Sequence, residues 1–597
     1  MRDYQAPVDD MAFTLETVCD WASLNSLERF REATPDLVGA VLEEAGRFAR
    51  EVLAPLNPVG DRTGSRLEGD GVRTPEGFAD AYRRFVEGGW NGLAAPVEWG
   101  GQGLPFVLAL AVQEMWTSAN MSFALCPMLT QGAIEALEVH GSEELKRVYL
   151  DKLVSGEWTG TMNLTEPQAG SDVGALKTRA EPLGDGRFAI RGQKIFITWG
   201  EHDMAENIVH LVLARTPGAP EGTRGISLFL VPKFLPDAAG RPGARNDLRC
   251  VSLEHKLGIH ASPTCVMQYG ETEGAIGWLV GEEMKGMRAM FTMMNAARIN
   301  VGLQGVAIAE RAGQEAIAFA HERIQSKDIA DPAAGPVPII RHPDVRRMLM
   351  SMKATTEAIR AIAYHTAAAV DRAQAAEDEA AQRAAQGRAD LLTPVTKAFA
   401  TDMGVEVASL AIQVHGGMGY VEETGVAQYF RDARIAPIYE GTNGIQAMDL
   451  AFRKLDMDGG AHWKAFIAEM QDFAAGLPRE GVLGAIRTPL LDGIEALRSA
   501  AQWMVGNEPA QVRDRAAAAS PFLRLFGTVA GGYLLAREAV TATRRLEAGE
   551  GKPAFLRNKI ASTHFFAEQM LPPAVALLGP ITRGAATLDA VPEGEFV

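Results

Sequence analysis

From about Leu37 to Leu153 apolar residues recur at intervals of three and four. Val38, Val41, Leu42, Ala45 and Phe48 set the rhythm, with polar residues between them. That spacing predicts amphipathic helices with one buried stripe. EWGGQGLP at 98–105 interrupts it and reads as a loop. Between about Thr159 and Gly281 the period changes. FAIRGQKIFITW, NIVHLVLART and GISLFLVPKF are short β-rich runs separated by Gly, Pro and Asp, and predict a small β-domain. From Glu282 the helical period returns over 283–325, 343–373 and 391–414, and again from Asn443. The Ala-rich charged tract at 373–389 predicts an exposed loop or a helix extension. Beyond 455 the helical pattern continues to near Leu578, with breaks expected at Pro478, Pro509, Pro521, Pro553 and Pro572 with Pro573. Residues 1–36 read as an added arm, extended through Tyr4, Ala6 and Pro7 and then a short helix near 25–33.

Composition narrows the class. With 597 residues, 47% hydrophobic and 22% charged, the chain can bury a large core and is not a disordered one. A formal charge of −17 argues against nucleic acid and against a general attraction to anionic lipid. Cys19, Cys126, Cys250 and Cys265 form no CxxC pair and no cluster with histidine. They predict reduced thiols of a cytoplasmic protein, and no metal site is expected. No apolar run approaches a membrane span, and MRDYQAPVDDMAF does not read as a signal peptide.

Four segments carry candidate chemistry. MNLTEPQAGSDVGALKT at 162–178 offers hydroxyls and free backbone N–H groups for a flavin ring and phosphate oxygens, though its turn-forming residues also suit a plain surface turn. IFITWG at 195–200 places Phe196 beside Thr198 at a strand end, where it could stack on a flavin or simply join a core. HERIQSK at 321–327 ends a predicted helix; Arg323 and Lys327, four apart, would share one face and meet phosphates or solvent. In QVHGGMGYVEETGVAQYFRDARIAPIYEGTNGIQ at 413–446, Gly416, Gly417 and Gly419 permit close backbone approach to a diphosphate. Glu440 stands there between the apolar IAPIY and the turn GTNG. Desolvation in such a place raises a carboxylate toward a useful base, while a plain helix N-terminal glutamate is the other reading.

In this order and at these separations the four segments resemble the acyl-CoA dehydrogenase family, over about residues 37–455, with TEPQAGSD and YEGTNGIQ the most specific parts. The N-terminal APxxDM, EHKLGIHASPTC at 254–265 and the long C-terminal extension resemble one branch, which includes 3-methylmercaptopropionyl-CoA dehydrogenases and related bacterial long-chain enzymes. The resemblance implies an α+β fold: an arm (1–36), an N-terminal helical domain (37–158), a middle β-barrel-like domain (159–281), a four-helix bundle (282–454) and an added helical domain (455–597). It implies FAD held by Leu164, Thr165, Gly170, Ser171, Phe196, Thr198 and Thr442. Arg323, Gln325, Gln413, Gly416 and Gly417 join this set, with Arg323, Gln325, Gln413 and Gly417 reaching the FAD of a neighbouring subunit. Ser171, Asn295, Arg298 and Gly441 would contact the acyl-CoA. Phe196 stands where many members carry tryptophan. Members whose base lies beside the Arg298 position have it where this chain has Ala297, so Glu440 is the implied base.

The implied reaction removes an α-proton and a β-hydride from an acyl-CoA, giving the trans-2-enoyl-CoA, with electrons passed to an electron-transfer flavoprotein. An acyl-CoA oxidase, or an assembly scaffold of the same fold, is the alternative. The extension must bury stripes such as Phe522, Leu523, Leu525 and Phe526, and its packing on the same protomer predicts a homodimer rather than a tetramer. Two prolines and sparse basic residues make 555–578 a poor membrane-surface helix.

Overall fold

The computed structural model describes residues 3–506 and 511–596, and the chain divides into two compact units. One unit holds residues 41–300 with the short stretch 3–6. Its helical part is dominated by Phe106–His140, a 35-residue helix buried over most of its length. A curled eight-stranded sheet follows. Its order is Leu248–Leu253, Thr264–Tyr269, Arg187–Thr198, Ala275–Val280, Ser227–Pro232, Asn207–Ala214 and Trp158–Asn163, with Arg179–Pro182 added beside Arg187–Thr198. All neighbours are antiparallel except Trp158–Asn163 with Asn207–Ala214. Those two strands and Ser227–Pro232 are buried at every position, which is why Asn207–Ala214 and Ser227–Pro232 read as nearly continuous apolar runs rather than alternation.

The other unit holds residues 7–40 and the chain from 301 onward, and it is helical. Its long elements are Gly286–Glu322 (from residue 301), Pro343–Ala375, Glu379–His415, Gly481–Gly506, Val512–Ala548 and Pro553–Gln569. Gly305 has no room for a side chain: a Cβ there would stand 2.1 Å from the Ala400 carbonyl, so Gly286–Glu322 and Glu379–His415 touch through their backbones. Phe522, Leu523, Leu525 and Phe526 are buried within this unit. Phe526 stacks near Phe466, and the neighbouring Gly527 backs onto the Phe399 ring.

Several expectations are corrected. The arm is not extended after Pro7: Val8–Thr17 is a helix, followed by Trp21–Asn25 and a single 3-10 turn at Glu28–Phe30. The tract at 373–389 follows the second of its two readings, a helix extension, and only the expected start at 391 is corrected: Asp378 accepts the Ala381 N–H at 2.8 Å and starts Glu379–His415 twelve residues earlier. Pro521 does not break its helix; it lies inside Val512–Ala548, where the buried stripe on both sides outweighs one lost hydrogen bond. Pro509 lies outside the described residues. Arg323 and Lys327 do not share a helical face, since the helix ends at Glu322 and Ile324–Lys327 is a strand paired with Pro336–Pro338. Cys19, Cys126, Cys250 and Cys265 are buried free thiols. Among the described residues no helix is long and apolar enough to cross a membrane, and no group of three or more His, Cys, Asp or Glu residues could hold a metal.

Candidate active site

In the unit of residues 41–300, TEPQAGSD is a loop organised around its own glutamate. Glu166 is buried and paired with Lys194 at 2.8 Å, and it accepts the N–H of Lys177 (2.6 Å) and both the N–H (3.0 Å) and hydroxyl (2.6 Å) of Thr178. Burial alone would raise this carboxyl, but Lys194 and these donors hold it at about 2. Burial pulls the Lys194 ammonium down to about 8, against the attraction of Glu166. Lys194 also donates to the Leu164 carbonyl (3.0 Å), and the Thr165 carbonyl accepts the Ile195 N–H (2.9 Å). The loop is thereby bound to the strand that ends in Phe196 and Thr198. Leu164 and Thr165 are half-buried, while Gly170 and Ser171 are exposed with open space beside Gly170.

Phe196 is no core residue. It has φ 59° and is 57% exposed, whereas Trp199, three residues on, is buried with its indole N–H on the Ser122 carbonyl (3.1 Å). Thr198 is half-buried, and its carbonyl accepts the Thr161 hydroxyl (2.9 Å). An exposed ring in the left-handed region at the end of a long strand is expensive and suits a ring-binding surface. Asn295 is exposed; Arg298, one turn later, is buried with its guanidinium 5.8 Å from the Phe291 ring centre.

In the helical unit, Phe319 stacks on His415 at 4.3 Å and so sets two helix ends side by side. Arg323 and Gln325 follow the first end; Gln413, Gly416 and Gly417 belong to the second. All five are exposed. Arg323 donates to the Gln325 side chain (3.1 Å). Gly416 has φ 60°, and a Cβ at Gly416 or Gly417 would enter open space, so this backbone is free for close approach. Gly419 is different: it is buried, and a Cβ would stand 2.3 Å from the Ile412 carbonyl, which makes it a packing glycine and corrects its reading as part of a diphosphate cradle.

Glu440 and Gly441 both lie in the left-handed region, with φ 55° and 83°. The turn is fixed on each side. Upstream, the Tyr439 hydroxyl donates to Gln304, and burial, with the Glu440 charge next, pushes that phenol upward. Downstream, the Asn443 N–H reaches the Pro437 carbonyl (3.0 Å) and the Gln446 amide reaches the Gly441 carbonyl (3.3 Å). Thr442 caps Asn443–Asp449 by accepting the Ile445 N–H at 3.2 Å. Glu166, Lys194, Gln304 and Asn443 were not among the expected site residues. A buried lysine and glutamate among β-rich runs were the available signal for the first two.

FAD requires a face for its ring system, hydroxyl and backbone partners for the ring edge, and side-chain-free backbone for its diphosphate. Within the unit of residues 41–300, the exposed Phe196, the Thr165 and Thr198 hydroxyls and the open Gly170 fit the ring and its edge; within the helical unit, the open Gly416 and Gly417 fit a diphosphate.

Comparison with known proteins agrees. Residues 39–157, 161–271 and 284–455 match the acyl-CoA dehydrogenase N-terminal, middle and C-terminal domains, and 466–592 match the "acetyl-CoA dehydrogenase C-terminal like" domain. The chain is 50% identical over 577 residues to the 3-methylmercaptopropionyl-CoA dehydrogenase of Ruegeria pomeroyi, covering 95% of this chain and 96% of that one. The structure of Caenorhabditis elegans ACDH-11 in complex with C11-CoA has the same fold, with TM-score 0.76 and 21% identity over 95% of this chain and 92% of that chain. A chain solved in work on the electron transferring flavoprotein of Acidaminococcus fermentans is 27% identical with TM-score 0.58, covering 70% of this chain and 98% of that one. The protein belongs to the acyl-CoA dehydrogenase family, and is an oxidoreductase with FAD as its cofactor.

Proposed function

We propose that the protein dehydrogenates a short acyl-CoA, 3-methylmercaptopropionyl-CoA first among them, at Cα–Cβ to the trans-2-enoyl-CoA, with Glu440 as the base and an electron-transfer flavoprotein as acceptor. The observation that carries the reading is the fixed left-handed turn at Glu440 and Gly441. It fixes the backbone at Glu440, whose carboxylate would take the α-proton and whose backbone N–H would bind the thioester oxygen, so that charge developing there is stabilised as the proton leaves. Bound FAD supplies the acceptor for the hydride that departs from Cβ. Thr165, Thr198 and Phe196 hold and orient the ring, and Asn295 and Arg298 serve the coenzyme A portion. The 50% identity over nearly the whole chain supports the thioether substrate, and the likeness to the Acidaminococcus chain supports the acceptor. Arg323, Gln325, Gln413 and Gly417 would serve a neighbouring subunit's FAD in a homodimer, which their joint exposure supports.

Glu440→Gln tests the base. The amide keeps the shape but takes no proton, so anaerobic flavin bleaching by substrate slows by at least ~10²–10⁴ at unchanged FAD content. Near-normal bleaching sinks the assignment. The substrate is tested by comparing kcat/KM for 3-methylmercaptopropionyl-CoA with pentanoyl-CoA, in which CH2 replaces the sulfur. A clear preference for pentanoyl-CoA would refute the thioether reading, and peroxide formed without added acceptor would refute the flavoprotein.

A further inference from the structure

The strained Glu440 backbone requires a cause outside the turn. A non-glycine residue in the left-handed region costs on the order of 1 kcal/mol and persists only where the surroundings dictate it. The first helical residue after the turn, Asn443, carries an unusual set of bonds. Its Oδ1 accepts from the Lys397 ammonium at 2.9 Å. Its Nδ2 donates to the Asp402 carboxylate (2.7 Å), lies within reach of the Thr401 hydroxyl (3.0 Å), and faces the Ala398 carbonyl (3.1 Å). Lys397 is fully buried and Thr401 nearly so. These partners occupy one stretch of Glu379–His415, a helix packed through Gly305 without side-chain play. The same residue's N–H closes the loop back to Pro437, six residues upstream. The Asn443 side chain thus ties the downstream end of the Glu440 turn to a rigid helix, and the backbone N–H of the same residue ties that end to the upstream one.

We infer that Asn443 is a positioning residue for the Glu440 carboxylate, with buried Lys397 orienting the Asn443 amide. The inference rests on Glu440 being the base. Lys397 selects the amide orientation: only Oδ1 can accept from an ammonium, which turns Nδ2 toward Asp402. Loss of the amide leaves buried Lys397 and Asp402 short of a partner and lets the turn relax from its left-handed form. A base displaced by about 1 Å costs on the order of 10²-fold in rate, without a matching cost in binding.

The test uses the FAD-loaded enzyme, a dye acceptor and acyl-CoA deuterated at Cα. Asn443→Ala is expected to lower kcat ~10–100-fold with KM within about threefold and native FAD content. The α-deuterium effect on kcat should rise, because proton removal becomes rate-limiting. A merely structural role would move neither the isotope effect nor kcat per bound FAD, and either of those results overturns the inference. Asn443→Asp keeps the volume and the acceptor for Lys397, so it remains informative if the alanine variant fails to fold. Its new carboxylate faces Asp402, already raised by burial and surrounded by Glu406, Lys397 and Arg524. At low pH one of the two acids is protonated and donates to the other; as pH rises both ionise and repel. The kcat profile of this variant should therefore fall at lower pH than the native one, and a native profile overturns the inference. Glu440→Gln serves as the separate control: bleaching by that variant refutes the base itself, whereas an inert Glu440→Gln beside a native-like Asn443→Ala refutes only the positioning role.

Discussion

Replacing Lys559 by methionine removes the cation at the centre of a buried charge cluster that joins the two ends of the helical unit. The Lys559 ammonium is 1% exposed and stands 2.8 Å from Asp10, 2.5 Å from Glu538 and 3.5 Å from Glu357. Arg360, equally buried, pairs with Asp10 (2.6 Å) and Glu310 (2.7 Å). Burial would raise Asp10, but Lys559 and Arg360 hold it far below the usual carboxylate range; burial lifts Glu538 to about 6. At an effective dielectric near 20, each of the two closest contacts is a gross attraction of about 6 kcal/mol, most of it offset by desolvation. Breaking a buried pair on one side typically costs ~3–5 kcal/mol; Arg360 still pairs with Asp10 and Lys353 with Glu357, so we take the lower figure, about 3 kcal/mol. The whole chain is too large for two-state unfolding, so the readout is local: amide hydrogen exchange over Val8–Thr17, expected to speed up ~150-fold. The sign with pH follows. Glu538 has a raised folded pKa, so its ionisation weighs against the folded state as pH rises above about 4.5, and more so without Lys559. The defect should be largest at about pH 8 and shrink toward pH 5.5 as Glu538 takes up its proton. Exchange within twofold of native, or a defect that deepens in acid, would refute this account.

Lys194→Met should leave Glu166 buried and unpaired, cost about 3 kcal/mol locally and lower FAD content of the purified protein. In the native protein Glu166 titrates at about 2. Its stabilisation is therefore present above the ordinary carboxylate range and lost only as pH falls toward 2, so native FAD release between pH 4 and 6 caused by this pair would contradict it. Arg323→Ala should lower FAD occupancy and dimer mass together, measured by flavin absorbance and light scattering; loss of neither returns Arg323 to a plain surface role.

The layer order of helices, strands and helices was legible because the period changes from three-and-four to short β-branched runs near 159 and back near 282. Glu440 stood out because an acidic residue between IAPIY and GTNG combines an apolar flank with turn chemistry. Val8–Thr17 was missed because Pro7 offers no side-chain cap and the helix is secured from outside, by Asp10 to Lys559 and by Thr14 donating to Glu538 at 2.6 Å. Arg323 and Lys327 kept a helical spacing through a segment where Ser326 has φ 62°, a conformation that spacing cannot reveal. Asn443 looked like one more turn residue, since its partners lie some forty positions upstream.

The APxxDM segment at the start of the chain gains its meaning from the end. Pro7 accepts the N–H groups of Asp10 and Met11 (3.0 Å each), Met11 is fully buried, and Phe13 joins a cluster with Ala542 and Leu556. The separations are 524 residues for Thr14 to Glu538 and 549 for Asp10 to Lys559. A ten-residue helix is marginal alone, so this segment waits during synthesis for partners more than five hundred residues later. At ~5–20 residues per second that delay is on the order of half a minute to two minutes. Closure of the N-terminal helix then acts as a check on completeness: a chain cut short before residue 538 leaves Asp10, Met11 and Phe13 uncovered, open to the proteases that clear unfinished protein.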